Sequence, residues 1–356
     1  MQGFVEDIAP YLVALSLAPI AGSPALAQTP QEAPSTVAAN YIEPSATTAI
    51  KPGTMIEALF TRNMKQPYVL QRLTDRSYFF QRFFYSTTFY VGDEGVLLFD
   101  APEGRGAQLL QAIREVSPLP VTTVVYAHFH VDHVGDGKFW VDEAQKAGKE
   151  LRIVASKATA DKMAFMNSRL PKPTLVLSSL KDSFTFEKLT VELHRFEKPA
   201  HTDDHSAWLL KEERIAHSPD LLNPDQLPMM GFAVSDTVVY HERNLREVMA
   251  LDWLHFVGGH GNVGSKADFE FQIGFLQDLA AATREARNAE PFAKHMSPSD
   301  NNHAAFARSQ RDAIIKRVTE QLRPKYGQMY GYNASMPYNV ELAIRLVGSY
   351  TNPRGV

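Results

Sequence analysis

The 356-residue chain contains no cysteine. That excludes disulfides, thiolate metal ligands and a cysteine nucleophile. Positive charge is not in excess either: 36 Lys and Arg stand against 40 Asp and Glu, a formal charge of −4. Nothing in that balance points to a nucleic-acid partner. The chain has no Gly-rich phosphate loop, no dinucleotide fingerprint and no convincing internal repeat. Long apolar runs are also missing beyond the N-terminus, so no stable membrane span is expected. What is abundant is ordinary core material, 44% hydrophobic residues, enough for one large domain or a domain with an extension.

The N-terminus reads as an atypical export signal. Ile8 to Ala21 is mostly apolar, and Ala25-Leu26-Ala27 before Gln28 offers a small-x-small cleavage site, although Glu6 and Asp7 precede the run. The expectation is a signal peptide over 1–27 and a periplasmic or secreted protein. Residues 28–53, rich in Pro, Ala, Ser and Thr, read as a linker or extended arm. Residues 54–356 would then form the functional domain, including C-terminal covering helices.

Met55 to Lys65 suggests a short helix. From Gln71 the pattern turns to β, with Phe83 to Tyr90 and Val96 to Asp100 joined across the turn Gly92-Asp93-Glu94-Gly95. The aromatic run from Tyr78 to Tyr90 suits two buried strands, a pocket rim or a dimer face. Arg105 to Val116 reads as an amphipathic helix and Val121 to Tyr126 as a buried strand rich in β-branched residues. Further helices are expected over Gly137 to Lys149, Ala158 to Met166, Glu242 to Leu251, Lys266 to Arg287, Ala304 to Leu322 and Tyr338 to Val347. Strands are expected over Leu151 to Ala155, Ser183 to Leu193, Ala207 to Leu210 and Arg214 to Ala216. Pro324 to Pro337, with four large side chains in Tyr326, Tyr330, Tyr332 and Met336, suits a substrate wall or aromatic packing.

The chemistry concentrates in Ala127 to Gly137, AHFHVDHVGDG. His128, His130, Asp132 and His133 fall within six positions at the end of the Val121 to Tyr126 strand. Three imidazoles and a carboxylate are costly to bury bare but suit a divalent metal. The i, i+2 spacing puts His128 and His130 on one side of an extended segment. Asp132 and His133 follow a turn and approach from another direction.

This H-x-H-x-D-H segment resembles the signature of the metallo-β-lactamase-fold hydrolases. Later segments match in order: His201 in PAHTDDH, Asp220 in AHSPDLL and His260 in VGGHGNV. The resemblance implies an α+β fold, a four-layer αββα sandwich with a metal site at its lip. It implies that His128, His130 and His201 hold one metal ion. Asp132, His133 and His260 would hold the second, with Asp220 bridging. An all-N/O ligand set suits zinc first, with iron, manganese or cobalt also compatible. In the ligand pattern an Asp at the bridging position is similar to the lactonase, thioesterase and phosphodiesterase branches.

The implied activity is a binuclear metal-dependent hydrolase acting on a small ester or lactone through a hydroxide shared by the metals. Asp132 would align that nucleophile, as a catalytic residue as well as a ligand. The alternatives are a β-lactam hydrolase or a non-catalytic metal-binding protein. The expected partner is a small-molecule substrate, and the oligomeric state is left open. Asp100, in Asp100-Ala101-Pro102, suits either a carboxylate that orients a ligand His or the end of a strand. His205 is expected to stabilise its loop. His217 stands near Asp220, Asp203 and Asp204 suit turn residues or supports for a ligand His, and Tyr330 and Tyr332 suit carbonyl-polarising groups.

Overall fold

The computed structural model describes residues 39–297 and 302–350, the side chain of Tyr350 excepted. The expected signal segment lies outside them. A seven-stranded sheet has the order β3 (Val69–Arg72), β4 (Ser77–Arg82), β5 (Tyr85–Val91), β6 (Val96–Phe99), β7 (Val121–Tyr126), β8 (Arg152–Ser156) and β9 (Leu175–Leu177). A five-stranded sheet runs β10 (Lys181–Phe186), β11 (Leu189–Arg195), β12 (Ser206–Leu210), β13 (Ile215–His217) and β14 (His255–Val257). The described part of the N-terminal arm lies on this body. Its β1 (Asn40–Ile42) pairs with β2 (Thr54–Ile56), and Tyr41 Oη donates to Asp225.

The two sheets face each other because their central strands are apolar on both sides. Leu97 and Phe99 of β6 point into a core shared with Trp208, Leu210, Ile215 and Val257 from the second sheet. Their neighbours Val96 and Leu98 point the other way, against Leu109 and Ile113 of α2 (Gly106–Val116) and Trp140 of α4 (Gly137–Lys146). Period-2 alternation with both faces covered is what a buried, largely parallel stretch of sheet requires. On the second sheet, Ala207 and Leu209 turn outward to Leu245 of α7 (His241–Met249) and Phe269 of α8 (Lys266–Ala289). The order of layers is therefore helix, sheet, sheet, helix, the expected αββα sandwich. A further apolar core joins α8 to α9 (His303–Tyr326) and α10 (Tyr332–Arg345).

Two readings of the sequence need correction. The stretch expected as a helix from Met55 begins as strand β2, and helix α1 runs only over Leu59–Lys65. Asn262 decides this, because its side chain accepts from Ile56 N and donates to Ile56 O, holding that residue extended. The segment from Pro324 to Pro337 is no substrate wall: Tyr326, Tyr332 and Met336 are buried in the α8–α10 core, and Tyr330 stacks on Phe60. Pro324 and Pro337 lie inside helices α9 and α10, which run past the bounds expected for the helices at Ala304 to Leu322 and Tyr338 to Val347.

The remaining helices are α3 (Val131–Val134), α5 (Lys157–Phe165) and α6 (Met230–Val234). The last is a left-handed turn, with positive φ at all five residues. Left-handed helix costs an L-residue roughly 1–2 kcal/mol. Asn339 offsets this by accepting from Gly231 N and Phe232 N and donating to Pro228 O. No helix among the described residues is long and apolar enough to cross a membrane.

A histidine buried in its neutral form should make the fold acid-sensitive. Desolvation lowers His255, in β14, from 6.5 to about 4. The unfolded chain therefore binds the extra proton between about pH 6.5 and 4, and stability falls as pH drops through that window. The full shift is worth about 3 kcal/mol. In urea melts from pH 7 to pH 4, His255→Phe should show a shallower acid loss than the parent chain; an unchanged slope would assign the loss elsewhere.

Candidate metal centre

The centre is built at one end of the strands, from loops that leave both sheets. Strand β7 delivers His128 and His130, and the single turn α3 carries Asp132 and His133. His201 precedes β12, Asp220 follows β13, and His260 follows β14. The structure brings all seven together. His128, His130, His201 and Asp220 form one group of possible ligand atoms within 4.8 Å of one another, and Asp132, His133 and His260 form a second.

Asp220 lies between the groups. Its Oδ2 is 3.0 Å from His133 Nε2, 3.2 Å from His201 Nε2 and 3.5 Å from His128 Nε2. Its Oδ1 is 3.1 Å from His260 Nε2. Asp132 Oδ2 reaches the second group only, at 3.4 Å from His133 Nε2 and 3.6 Å from His260 Nε2. One carboxylate thus faces four imidazoles from both groups, and the other faces two.

Protonation follows from this layout. Burial, reinforced by neighbouring rings, drives His128 well below its ordinary value and lowers His130. These rings keep a lone pair for a ligand, as metal binding needs. Burial would lower His260 as well, but Asp220 and Asp132 outweigh it and draw it up to about 10. His133 also rises, by the same contest between burial and Asp220. Desolvation opposes ionisation of Asp220, yet His133, His201 and His260 hold it well below the usual carboxylate range.

The residues fit metal ions. Both ring nitrogens of His128, Nε2 of His133 and Nδ1 of His201 are buried without hydrogen-bond partners. Unpaired buried donors and acceptors are costly, and ligation would satisfy the nitrogens that face Asp220. The two groups of N and O donors suit divalent ions.

Around the centre the loops are locked. Asp100, fully buried, accepts from Ala127 N through Oδ1 and from His217 Nε2 through Oδ2, 2.9 Å each. Its Oδ2 also lies 3.8 Å from His133 Nδ1, so the carboxylate anchors the first histidine segment and borders a candidate ligand. His217 is thereby a partner of Asp100, joining the two sheets. His205 stabilises its loop as expected, donating from Nε2 to Pro219 O, one residue before Asp220.

The turn readings for Asp203 and Asp204 separate. Asp203 is exposed and pairs with Lys162, whereas Asp204 is buried and accepts from Phe129 N at 2.6 Å. Neither supports a ligand His; Asp204 ties the His128 loop to the His201 loop, and Lys162 on α5 bonds Thr202 and Asp204 beneath it. No spacing in the letters signals that lysine. Tyr330 and Tyr332 do not serve as carbonyl-polarising groups, since one stacks on Phe60 and the other donates to Thr319 O. The tyrosine beside the centre is instead Tyr85, whose ring centroid is 5.1 Å from that of His260.

The sequence model of the metallo-beta-lactamase superfamily matches residues 81–282. The chain belongs to that superfamily. The match spans all seven grouped residues and ends inside α8, so α9 and α10 lie beyond it. Solved structures agree on the fold. A metallo-beta-lactamase from Pontibacter korlensis superposes with a TM-score of 0.50 at 18% identity, over 59% of this chain and 99% of that one. Metallo-beta-lactamase IND-7 gives 0.51 at 17% identity, over 60% and 99%.

Two curated relatives are also similar. The 2,4-dinitroanisole O-demethylase subunit alpha of Nocardioides sp. (strain JS1661) is 27% identical over 205 residues, 56% of this chain. The linear primary-alkylsulfatase of Pseudomonas sp. (strain ATCC 19151) is 33% identical over 88 residues, 24% of this chain. The chain spans 59% of the demethylase subunit and 16% of the alkylsulfatase.

Proposed function

We propose that this superfamily member is a binuclear metal-dependent hydrolase that cleaves a small ester or lactone. The observation that carries the reading is Asp220, one buried carboxylate with an oxygen 3.0–3.5 Å from imidazoles of both ligand groups. His128, His130 and His201 would hold one ion, Asp132, His133 and His260 the other, and Asp220 both. Zinc is the first candidate for this all-N/O set. Bound there, the ions would acidify a water and polarise the scissile carbonyl.

The chain's own residues do the rest. Asp220 would offset the positive charge of the two cations held there. Asp132 is a third exposed, so its carboxylate meets solvent as well as His133 and His260. It is placed to accept a hydrogen bond from the attacking water and align it. The Asp100, His205 and Asp204 anchors hold the ligand loops at the separations the chemistry needs.

The test is one purified, metal-assayed sample and a panel of lactones, carboxylic esters, thioesters and β-lactams. The names of the curated relatives add an alkyl sulfate and 2,4-dinitroanisole. Turnover should favour an ester or lactone, disappear on chelation and return with zinc or another divalent ion. A metal-loaded chain inert toward the whole panel would support the non-catalytic metal-binding alternative, and a preference for the β-lactam would move the bond assignment to an amide.

A further inference from the structure

We propose that Arg105 and the aromatic turn Phe83–Tyr85 form a subsite for an oxyanion, a carboxylate or sulfate carried by an otherwise apolar substrate. The proposal rests on the hydrolase reading and names its substrate class. The Arg105 guanidinium lies over the Tyr85 ring, 4.1 Å from its centroid, and 6.0 Å from that of Phe83. Tyr85 packs beside His260 in turn. The same hairpin turn is bonded to the His260 loop, because His260 Nδ1 donates to Phe84 O at 2.8 Å and Ser86 N to Gly259 O at 2.7 Å. From the other side, Glu103 N donates to Asp132 O at 3.2 Å. Arg105 therefore stands where the hairpin turn meets the second ligand group.

Its donors are largely unspent. A guanidinium carries five N–H donors. Among the described residues the Arg105 guanidinium gives one hydrogen bond, from Nη1 to Glu103 O, while its Nε is buried without a partner. It enters no ion pair there. Arg82, whose guanidinium is 4.8 Å from the Phe83 centroid, likewise finds only a backbone carbonyl, that of Pro67. Two arginines without carboxylate partners thus flank one exposed aromatic ring. A surface that served packing alone would gain from an acidic partner near either charge.

The subsite is also pre-organised. Asp136 accepts from Gly104 N, Arg105 N and Gly106 N at 2.8, 2.9 and 2.7 Å, which fixes the backbone under Arg105. Stacking on Tyr85 orients the guanidinium plane. Phe83 and Phe84, 39% and 45% exposed, offer apolar contact beside the charge. A planar fork next to aromatic faces matches an organic anion, which it can bind bidentately.

The experiment compares the zinc-loaded full chain with Arg105→Gln and Arg105→Lys on three chromogenic esters: 4-nitrophenyl acetate, mono-4-nitrophenyl glutarate and 4-nitrophenyl 4-(sulfooxy)butyrate. A charged hydrogen bond of this kind corresponds to roughly 10- to 100-fold in binding. Arg105→Gln should reduce the preference in kcat/KM for the anionic substrate over the acetate by that factor, mainly through KM. Arg105→Lys, which keeps the charge but not the fork, should fall between. Which anionic substrate responds tells carboxylate from sulfate. Calorimetric binding of glutarate and of sulfate gives a readout that needs no turnover. If the parent chain cleaves none of the three yet Arg105→Gln weakens anion binding about tenfold or more, the subsite stands and the ester reading falls. Preference ratios and anion affinities within about two-fold of the parent in both variants would overturn the subsite.

Discussion

Replacing Asp220 with alanine should lower turnover by about a thousandfold or more and strip metal from both ligand groups. The magnitude follows from the several kcal/mol that metal-ion catalysis supplies to a developing charge. The geometry explains why both groups suffer. Asp220 Oδ2 faces His133, His201 and His128, while Oδ1 faces His260. Its loss leaves five crowded imidazoles with the partly exposed Asp132 beside His133 and His260, and Asp100 beside His133 alone, as counter-charge. Two cations held by the two groups would then lack the carboxylate that faces both. Elemental analysis, kinetics and thermal melting should be run on one sample, with Asp220→Asn beside it. The asparagine keeps the volume but not the charge, so it should lose metal as the alanine does while melting closer to the parent. Normal occupancy of two ions in Asp220→Ala would refute the bridging role.

Gly259→Ala should destabilise the chain by about 2–5 kcal/mol and impair activity even in the molecules that remain folded. Gly259 has φ +76°, where a side chain costs roughly 1–2 kcal/mol. A Cβ there would also sit 2.6 Å from Pro219 Cβ and 2.7 Å from His133 Cε1. Relieving such overlap in a packed site costs roughly 1–3 kcal/mol. The colliding atoms belong to a candidate ligand and to the residue before Asp220, so relief means displacing the centre. Gly274, inside α8 with open space around it, is the control. Alanine there should be neutral or stabilising by roughly 0.5–1 kcal/mol. Denaturant melts of both variants, with metal content, check the contrast. Equal stability of the two would mean that the Gly259 loop yields without moving His133.

Four of the seven grouped residues were legible because they are local, and the other three because the chain resembles a family whose motifs follow in that order. His128, His130, Asp132 and His133 occupy one short segment, and His201, Asp220 and His260 stand in motifs that keep their order. The strands were legible for a similar reason. Val96 to Phe99 is a short apolar run after a turn and Val121 to Tyr126 a β-branched one, while which residue faces which core shows only in the structure. The failures fall where distant residues override local preference. Ile56 is strand because Asn262 bonds its backbone, and Pro324 sits in a helix whose packed core outweighs it.

Sequence alone determined which side chains are available to bind metal and in what order, and its resemblance to the superfamily implied the two facing sheets that carry them. Tertiary structure decided the rest. It set Asp220 between both groups, Asp204 and Lys162 across two loops, His217 on Asp100, and Arg105 over Tyr85 beside His260. Residue identity supplies the donors and acceptors. Their separations depend on how two sheets pack and where their loops end, and no local spacing encodes that distance.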